Sequence, residues 1–182
     1  LVKSGAAVAI WGRNTEKNQT AVDELKSLGG NVHAFVCDVT DEAMVKQVFA
    51  DTLAHFGKVD SCFANAGGGG EPGRLHETDS ENWNRVMDMN VTSVVHTFRP
   101  VIAHLIERKA PGKLLVTSSI AALMGMGFQA SYSTTKAAVV GLIRALAVEL
   151  GANGITANAI LPGYIESDLT AAAPKAFKEG SK

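Results

Sequence analysis

Short apolar runs rich in β-branched residues alternate five times with longer stretches whose apolar positions recur at helical spacing. The run AAVAIWG (6–12) predicts a strand, and TEKNQTAVDELKSLG (15–29) a helix closed by glycine. NVHAFVCD (31–38) predicts the next strand, followed by a helix over 41–56 with Thr40 or Asp41 as its cap. VDSCFANA (59–66) predicts a third strand, then a glycine-rich loop and a long helix from Asp79. There Thr78 and Glu81 stand in the T-x-x-E spacing of a capping box. Pro100 predicts a kink or break in that helix. KLLVTSS (113–119), a helix opening near QASYSTTK (129–136), and ITANAILP (155–162) complete the series. Strands that read as continuous apolar runs, each separated by a helix, predict an α/β domain built on a doubly wound parallel sheet, one domain over 1–182.

Composition then narrows the function classes. The chain of 182 residues carries a formal net charge of −1, with 46% hydrophobic and 19% charged residues, the balance of a folded domain with a buried core. Lysine and arginine form no cluster, so the electrostatic footprint of a nucleic-acid binder is missing and no such partner is expected. Charges interrupt the apolar runs well before the ~18 residues of a membrane span. No membrane partner is expected, and without a basic segment and short apolar core at the start the expected location is cytoplasmic. Cys37 and Cys62 lie far apart in strand-like stretches without metal-ligand spacing, which suits buried free thiols in a reducing compartment. The histidines are scattered, and no metal site is expected.

Chemistry gathers where the strands end. In parallel α/β sheets ligands sit beyond the carboxyl ends of the strands, and here those ends read Gly12-Arg13-Asn14, Cys37-Asp38-Val39, Asn65-Ala66-Gly67, Ser118-Ser119 and Pro162-Gly163. Tyr132 and Lys136, four apart at the start of an apolar helix, share one helical face. Alone, that pair reads equally as a snorkelling lysine beside a half-buried tyrosine. Ser119 ends a strand shortly before Tyr132, however, and a connecting loop brings hydroxyl, phenol and ammonium to one edge.

With these pieces in order, the chain resembles the short-chain dehydrogenase/reductase family, whose fold is Rossmann-like. The serine of TSS, the YSTTK stretch, the NAG turn, the DV after the second strand, the asparagine of MNVTS, and PGYIES carry the resemblance along nearly the whole chain. It implies a catalytic tetrad of Asn90, Ser119, Tyr132 and Lys136. It also implies cofactor contacts from Asp38 and Val39 to an adenine, from Asn65, Ala66 and Gly67 along a flat ligand, from Tyr132 and Lys136 to the nicotinamide ribose, and from Pro162, Gly163, Ile165 and Ser167 to the carboxamide. The family usually has threonine where Ser167 stands, and serine keeps the hydroxyl.

The physical chemistry fits those roles. A free phenol ionises near pH ~10, and an ammonium one helical turn away favours the phenolate, so the pair serves as general acid toward a carbonyl or general base toward an alcohol. Ser119 would hydrogen-bond the reacting oxygen, and Asn90 would place a water in a proton relay behind Lys136. An asparagine in a long helix also reads as a satisfied kink residue, and an aspartate before a helix, as at Asp38, as a cap. Arg13 follows Gly12 where family members preferring NAD carry aspartate. An arginine there holds a 2′-phosphate, so NADP(H) is the expected cofactor, with NAD(H) the other possibility and a plain surface arginine the bland reading.

The reading implied is an NADP(H)-dependent oxidoreductase exchanging hydride between nicotinamide and a carbonyl or secondary alcohol. Substrates resembling 3-oxoacyl thioesters and those resembling sugars or polyols stand level. The helix face VVGLIRALAVEL and the helix before it are expected to form a homodimer or homotetramer. GGGEPG (68–73) matches a phosphate-loop pattern only formally, because Glu71 adds negative charge, Pro72 lacks a donor, and the helix starts near Asp79; it reads as a mobile loop at the substrate mouth. The resemblance places the true phosphate loop between a first strand and first helix that do not appear in this sequence. The expectation is therefore that the chain is part of a longer domain, with a hole where a central strand belongs. The alternative from another class is a non-catalytic binding or regulatory protein on the same fold.

Overall fold

A computed structural model of the chain describes residues 1–166. The expected strands form at β1 (Val8–Gly12), β2 (Val32–Val36), β3 (Ser61–Ala64), β4 (Gly112–Thr117) and β5 (Ile155–Ile160). Between them lie α1 (Thr15–Ser27), α2 (Glu42–Phe56), α3 (Ser80–Met87), α4 (Ser93–Glu107) and α5 (Ala130–Leu150). Every strand pairing is parallel, as the run-helix-run pattern predicts.

Helix starts follow side-chain acceptors. Asn14 accepts the Lys17 N–H at 2.8 Å and Asp41 that of Met44 at 3.0 Å, relieving donors that a first turn leaves unpaired. The capping box expected at Thr78 does not form. Its hydroxyl donates to the Leu75 carbonyl at 3.1 Å, and Asp79 instead accepts the Asn82 N–H at 2.7 Å, where its charge meets the positive end of the helix. Asp79→Ala is expected to cost about 0.5–2 kcal/mol of stability, read as a lowered melting temperature.

Of the kink or break expected at Pro100, the break does not occur there. Helix α4 continues through Pro100, and the interruption falls at Asp88–Thr92, a π-helical turn. The Asn90 Nδ2 donates to the Val86 carbonyl at 3.0 Å, so a side chain enters the backbone ladder at the position where the helix changes pitch.

The sheet is divided. β1 and β2 form one pair, and β3, β4 and β5 a second sheet with β4 central. A cavity of about 510 Å³ separates β1 from β3; Val8 to Trp11 and Ser61 to Ala64 line its sides, with Phe49, Val94 and Val101 behind. The expected hole in the sheet lies here, between β1 and β3. The larger core fills the space around β3–β5 with Phe98, Leu105, Leu114 and Val139, and a smaller one holds Cys37, Val45 and Val48. Trp11 packs against both, and its indole N–H donates to Thr52 Oγ1 at 3.0 Å. Among the described residues no helix is long and apolar enough to cross a membrane.

Candidate active site

Adjacent residues of an extended strand point to opposite sides, and the end of β4 uses this. Ser118, buried, donates its hydroxyl to the Lys136 carbonyl at 2.7 Å, while the Lys136 ammonium returns to donate to the Thr117 carbonyl at 2.9 Å. Strand end and helix α5 are thereby clamped by reciprocal bonds. Lys136 is only 6% exposed, and burial lowers its pKa from the ordinary 10.5. Its Nζ lies 5.6 Å from the centre of the Tyr132 ring, so the i, i+4 pair does share one neighbourhood. Ser119 leaves the strand on the other side and accepts the Ala121 N–H at 3.1 Å, which leaves its own hydroxyl hydrogen to donate.

Asn90 and Lys136 meet across Gly67. A Cβ built at Gly67 would fall 2.7 Å from Asn90 Oδ1 and 3.3 Å from Lys136 Nζ, so any side chain there would displace one of them. Asn90 donates to the Gly68 carbonyl at 2.8 Å and accepts the Gly68 N–H at 3.1 Å. It is therefore a satisfied helix-break residue and a neighbour of the lysine at once, and Oδ1 keeps a second acceptor site.

The loop after Gly67 is not free in the way its glycines suggest. Gly68 is held by Asn90, the Glu71 N–H donates to Asn82 Oδ1 at 3.1 Å, and the Gly73 N–H donates to the Phe128 carbonyl at 2.9 Å. The loop expected to be mobile is thus tied at three points. The glycines serve close approach: a Cβ at Gly70 would lie 2.5 Å from Val86 Cγ2. No helix begins within the loop, as its sequence predicts.

A cleft of about 1120 Å³ opens beside this cluster, lined by Arg13, Asp38 and Val39 on one side and Ala66 and Gly67 on the other. Arg13 pairs with Asp38 at 3.7 Å. The Thr40 hydroxyl and N–H donate to the Asp38 carboxylate at 2.7 and 3.0 Å and, with Arg13, hold its pKa below the ordinary carboxylate value. The aspartate thus shapes the turn before α2, while Asp41 is the helix cap. The Val39 carbonyl faces His96 Nδ1 at 3.3 Å. Asn65 accepts the Thr117 hydroxyl at 2.7 Å, tying the ends of β3 and β4 together. The Pro162 carbonyl accepts the Ile120 N–H at 2.9 Å, which sets Gly163 and Ile165 beyond the same edge. Ser167 lies outside the described residues. Cys37 and Cys62 are free, and burial pushes their thiols up to about 11 and about 12, with Asp38 and Asp41 adding to the effect at Cys37.

Three contributors were given no role by sequence reasoning, although Ser118 stood among the strand ends. Thr117 and Ser118 fix the lysine through one backbone and one side-chain bond, and the only sequence signal was strand alternation through TSS. Asn82 pins the glycine-rich loop, a contact between segments with no local signature.

The donor set suits a dinucleotide. A guanidinium and a carboxylate stand at one end, bare backbone at Gly67 lies between, and an ammonium stands at the other. Among the described residues no glycine-rich turn opens a helix. The profile of the short chain dehydrogenase family matches residues 1–177, and the chain belongs to that family. It is 33% identical over 170 residues to the 3-oxoacyl-[acyl-carrier-protein] reductase of Chlamydia pneumoniae, an alignment covering 93% of this chain and 68% of that protein. The fold superposes on NAD+-bound xylitol dehydrogenase with a TM-score of 0.87 at 32% identity, covering 91% of this chain and 63% of the other. It superposes on an F189W actinorhodin polyketide ketoreductase with NADPH with a TM-score of 0.92 at 30% identity, covering 98% and 69%. The chain thus spans about two thirds of the length of these proteins.

Proposed function

We propose that the protein is an NADP(H)-dependent oxidoreductase acting on a carbonyl or the corresponding secondary alcohol. The observation that carries this reading is the buried Lys136, clamped to the end of β4 and set under Tyr132 beside the bare backbone of Gly67. Bound nicotinamide would supply or accept the hydride at the substrate carbon. Ser119 donates a hydrogen bond to the substrate oxygen, and Tyr132 gives that oxygen its proton. Lys136 offsets the negative charge left on the phenol oxygen and holds the ribose, while Asn90 keeps a water for the proton's return. Asp38, Val39, Asn65, Ala66 and Gly67 line the adenosine-to-nicotinamide path, and Pro162, Gly163 and Ile165, with Ser167, hold the carboxamide.

Arg13 supports NADP(H) over NAD(H), since its guanidinium stands in the cleft with Asp38 as its partner. Arg13→Ala is expected to lower the ratio of kcat/KM for NADPH over NADH by about ten- to a hundredfold, the worth of a charge-assisted phosphate contact. An unchanged ratio in steady-state assays would sink the assignment.

Acyl thioesters and polyols are the substrate classes suggested by the matched relatives. The apolar groove between α4 and α5, lined by Phe98, Ile102, Ile106, Leu142 and Leu146, supports association into a dimer or tetramer. The free thiols of buried Cys37 and half-buried Cys62 suit a cytoplasmic location. The further reading is a binding or regulatory protein on the same fold that does not turn over substrate. Consumption of NADPH with any of a panel of ketones, sugars and acyl thioesters would exclude it.

A further inference from the structure

Three loops leave the carboxyl ends of the second sheet, and they are stitched into one surface. The Gly73 N–H donates to the Phe128 carbonyl at 2.9 Å, joining the loop after β3 to the loop after β4; the Ile120 N–H donates to the Pro162 carbonyl at 2.9 Å, joining the latter to the exit of β5. Six of the exposed large apolar side chains of the described residues fall on these loops: Leu75, Ile120, Leu123, Met124, Phe128 and Ile165. Leu123 is 66% and Phe128 62% exposed. The part of the wall on the loop after β4 begins one residue after Ser119 and ends four before Tyr132, so it adjoins the reacting groups by covalent connection.

Two features separate this wall from scattered surface leucines. From Ile120 through Phe128 the chain has no polar side chain at all, and from Leu114 through Thr135 it has no charged or histidine side chain. Phe128, moreover, holds a φ of 62°, a left-handed conformation costly for an aromatic residue. Its carbonyl is taken by Gly73 while its ring stays in solvent, so the loop tolerates strain to present the ring rather than to bury it.

We propose, on the basis of the oxidoreductase reading above, that the substrate carbonyl is carried on a bulky apolar body, an alicyclic or aryl ketone or its alcohol. Hydroxyl groups of a polyol would lose water against this wall without gaining partners, whereas apolar surface gains by leaving water. Acetoacetyl-coenzyme A would bring only a short acyl chain to the wall.

The test compares decalone, fructose and acetoacetyl-coenzyme A as substrates of the full chain with NADPH. Alongside it, decalone is titrated calorimetrically into the complex with NADP+, which binds without turnover. Decalone is expected to show the highest kcat/KM by roughly tenfold or more. Leu123→Asn and Phe128→Gly are each expected to weaken decalone, in kcat/KM and in the calorimetric Kd, by roughly tenfold. Both should leave NADP+ affinity unchanged. Phe128→Gly should hold or raise the melting temperature, because glycine accepts the left-handed backbone. If another carbonyl is preferred, or both variants bind and reduce decalone as before, the apolar wall is overturned and the oxidoreductase reading stands. If decalone neither binds nor reacts and no carbonyl consumes NADPH, both fall.

Discussion

Replacing Tyr132 with phenylalanine in the full chain will lower kcat for carbonyl reduction by about 10²- to 10⁴-fold, the range of a positioned general acid. The melting temperature should hold and the cofactor Kd should rise far less than kcat falls, because the substitution removes one oxygen from a partly exposed ring and leaves the Lys136 clamp intact. The comparison is a pre-steady-state measurement of hydride transfer together with a binding titration. Loss of cofactor affinity in step with kcat would assign Tyr132 to binding, and an unchanged kcat would remove the proposed mechanism.

Lys136→Met should cost at least as much in activity without costing stability at neutral pH. The folded protein lowers the pKa of this ammonium by burying it, so between that value and 10.5 the unfolded chain binds more protons than the folded one. Folding stability contributed by this group therefore rises with pH across that window, and at neutral pH the buried charge is a cost. The variant loses the bond to Thr117 but also the desolvation penalty. Its melting temperature at neutral pH is expected to match or exceed that of the parent, and the parent should gain on it as pH rises toward 10.5. Thermal unfolding at neutral and alkaline pH checks the sign. A variant that is much less stable at neutral pH would make Lys136 a structural residue first.

What could be read from the chain was whatever local period or a fixed spacing encodes. Five strands and their helices were legible because alternation of apolar runs is itself the sheet, and Tyr132 with Lys136 because one helical turn is a rigid ruler. Ser119 was legible only through strand order and family resemblance. The capping of α3 by Asp79 rather than Thr78 was not, since both residues suit the role and a contact to Leu75 decides. The break at Asn90 was legible only as one of two readings of that residue, because Pro100 is the stronger local signal and the asparagine's reach to Val86 and Gly68 at once has no local signature. The loop of 68–73 looked mobile because glycine advertises freedom, and its three tethers come from Asn82, Asn90 and Phe128, far away in sequence.

The divided sheet bears on the cofactor cleft in a mechanical sense. Arg13, Asp38 and Val39 belong to the β1–β2 body, whereas Ala66 and Gly67 belong to the body built on β3–β5. Between the two sheets α2 packs against α4, and the Val39 carbonyl meets His96 Nδ1 at 3.3 Å. On the proposed reading, a dinucleotide reaching from Arg13 toward Lys136 would touch both sheets at once, so part of its binding free energy would go into holding them together.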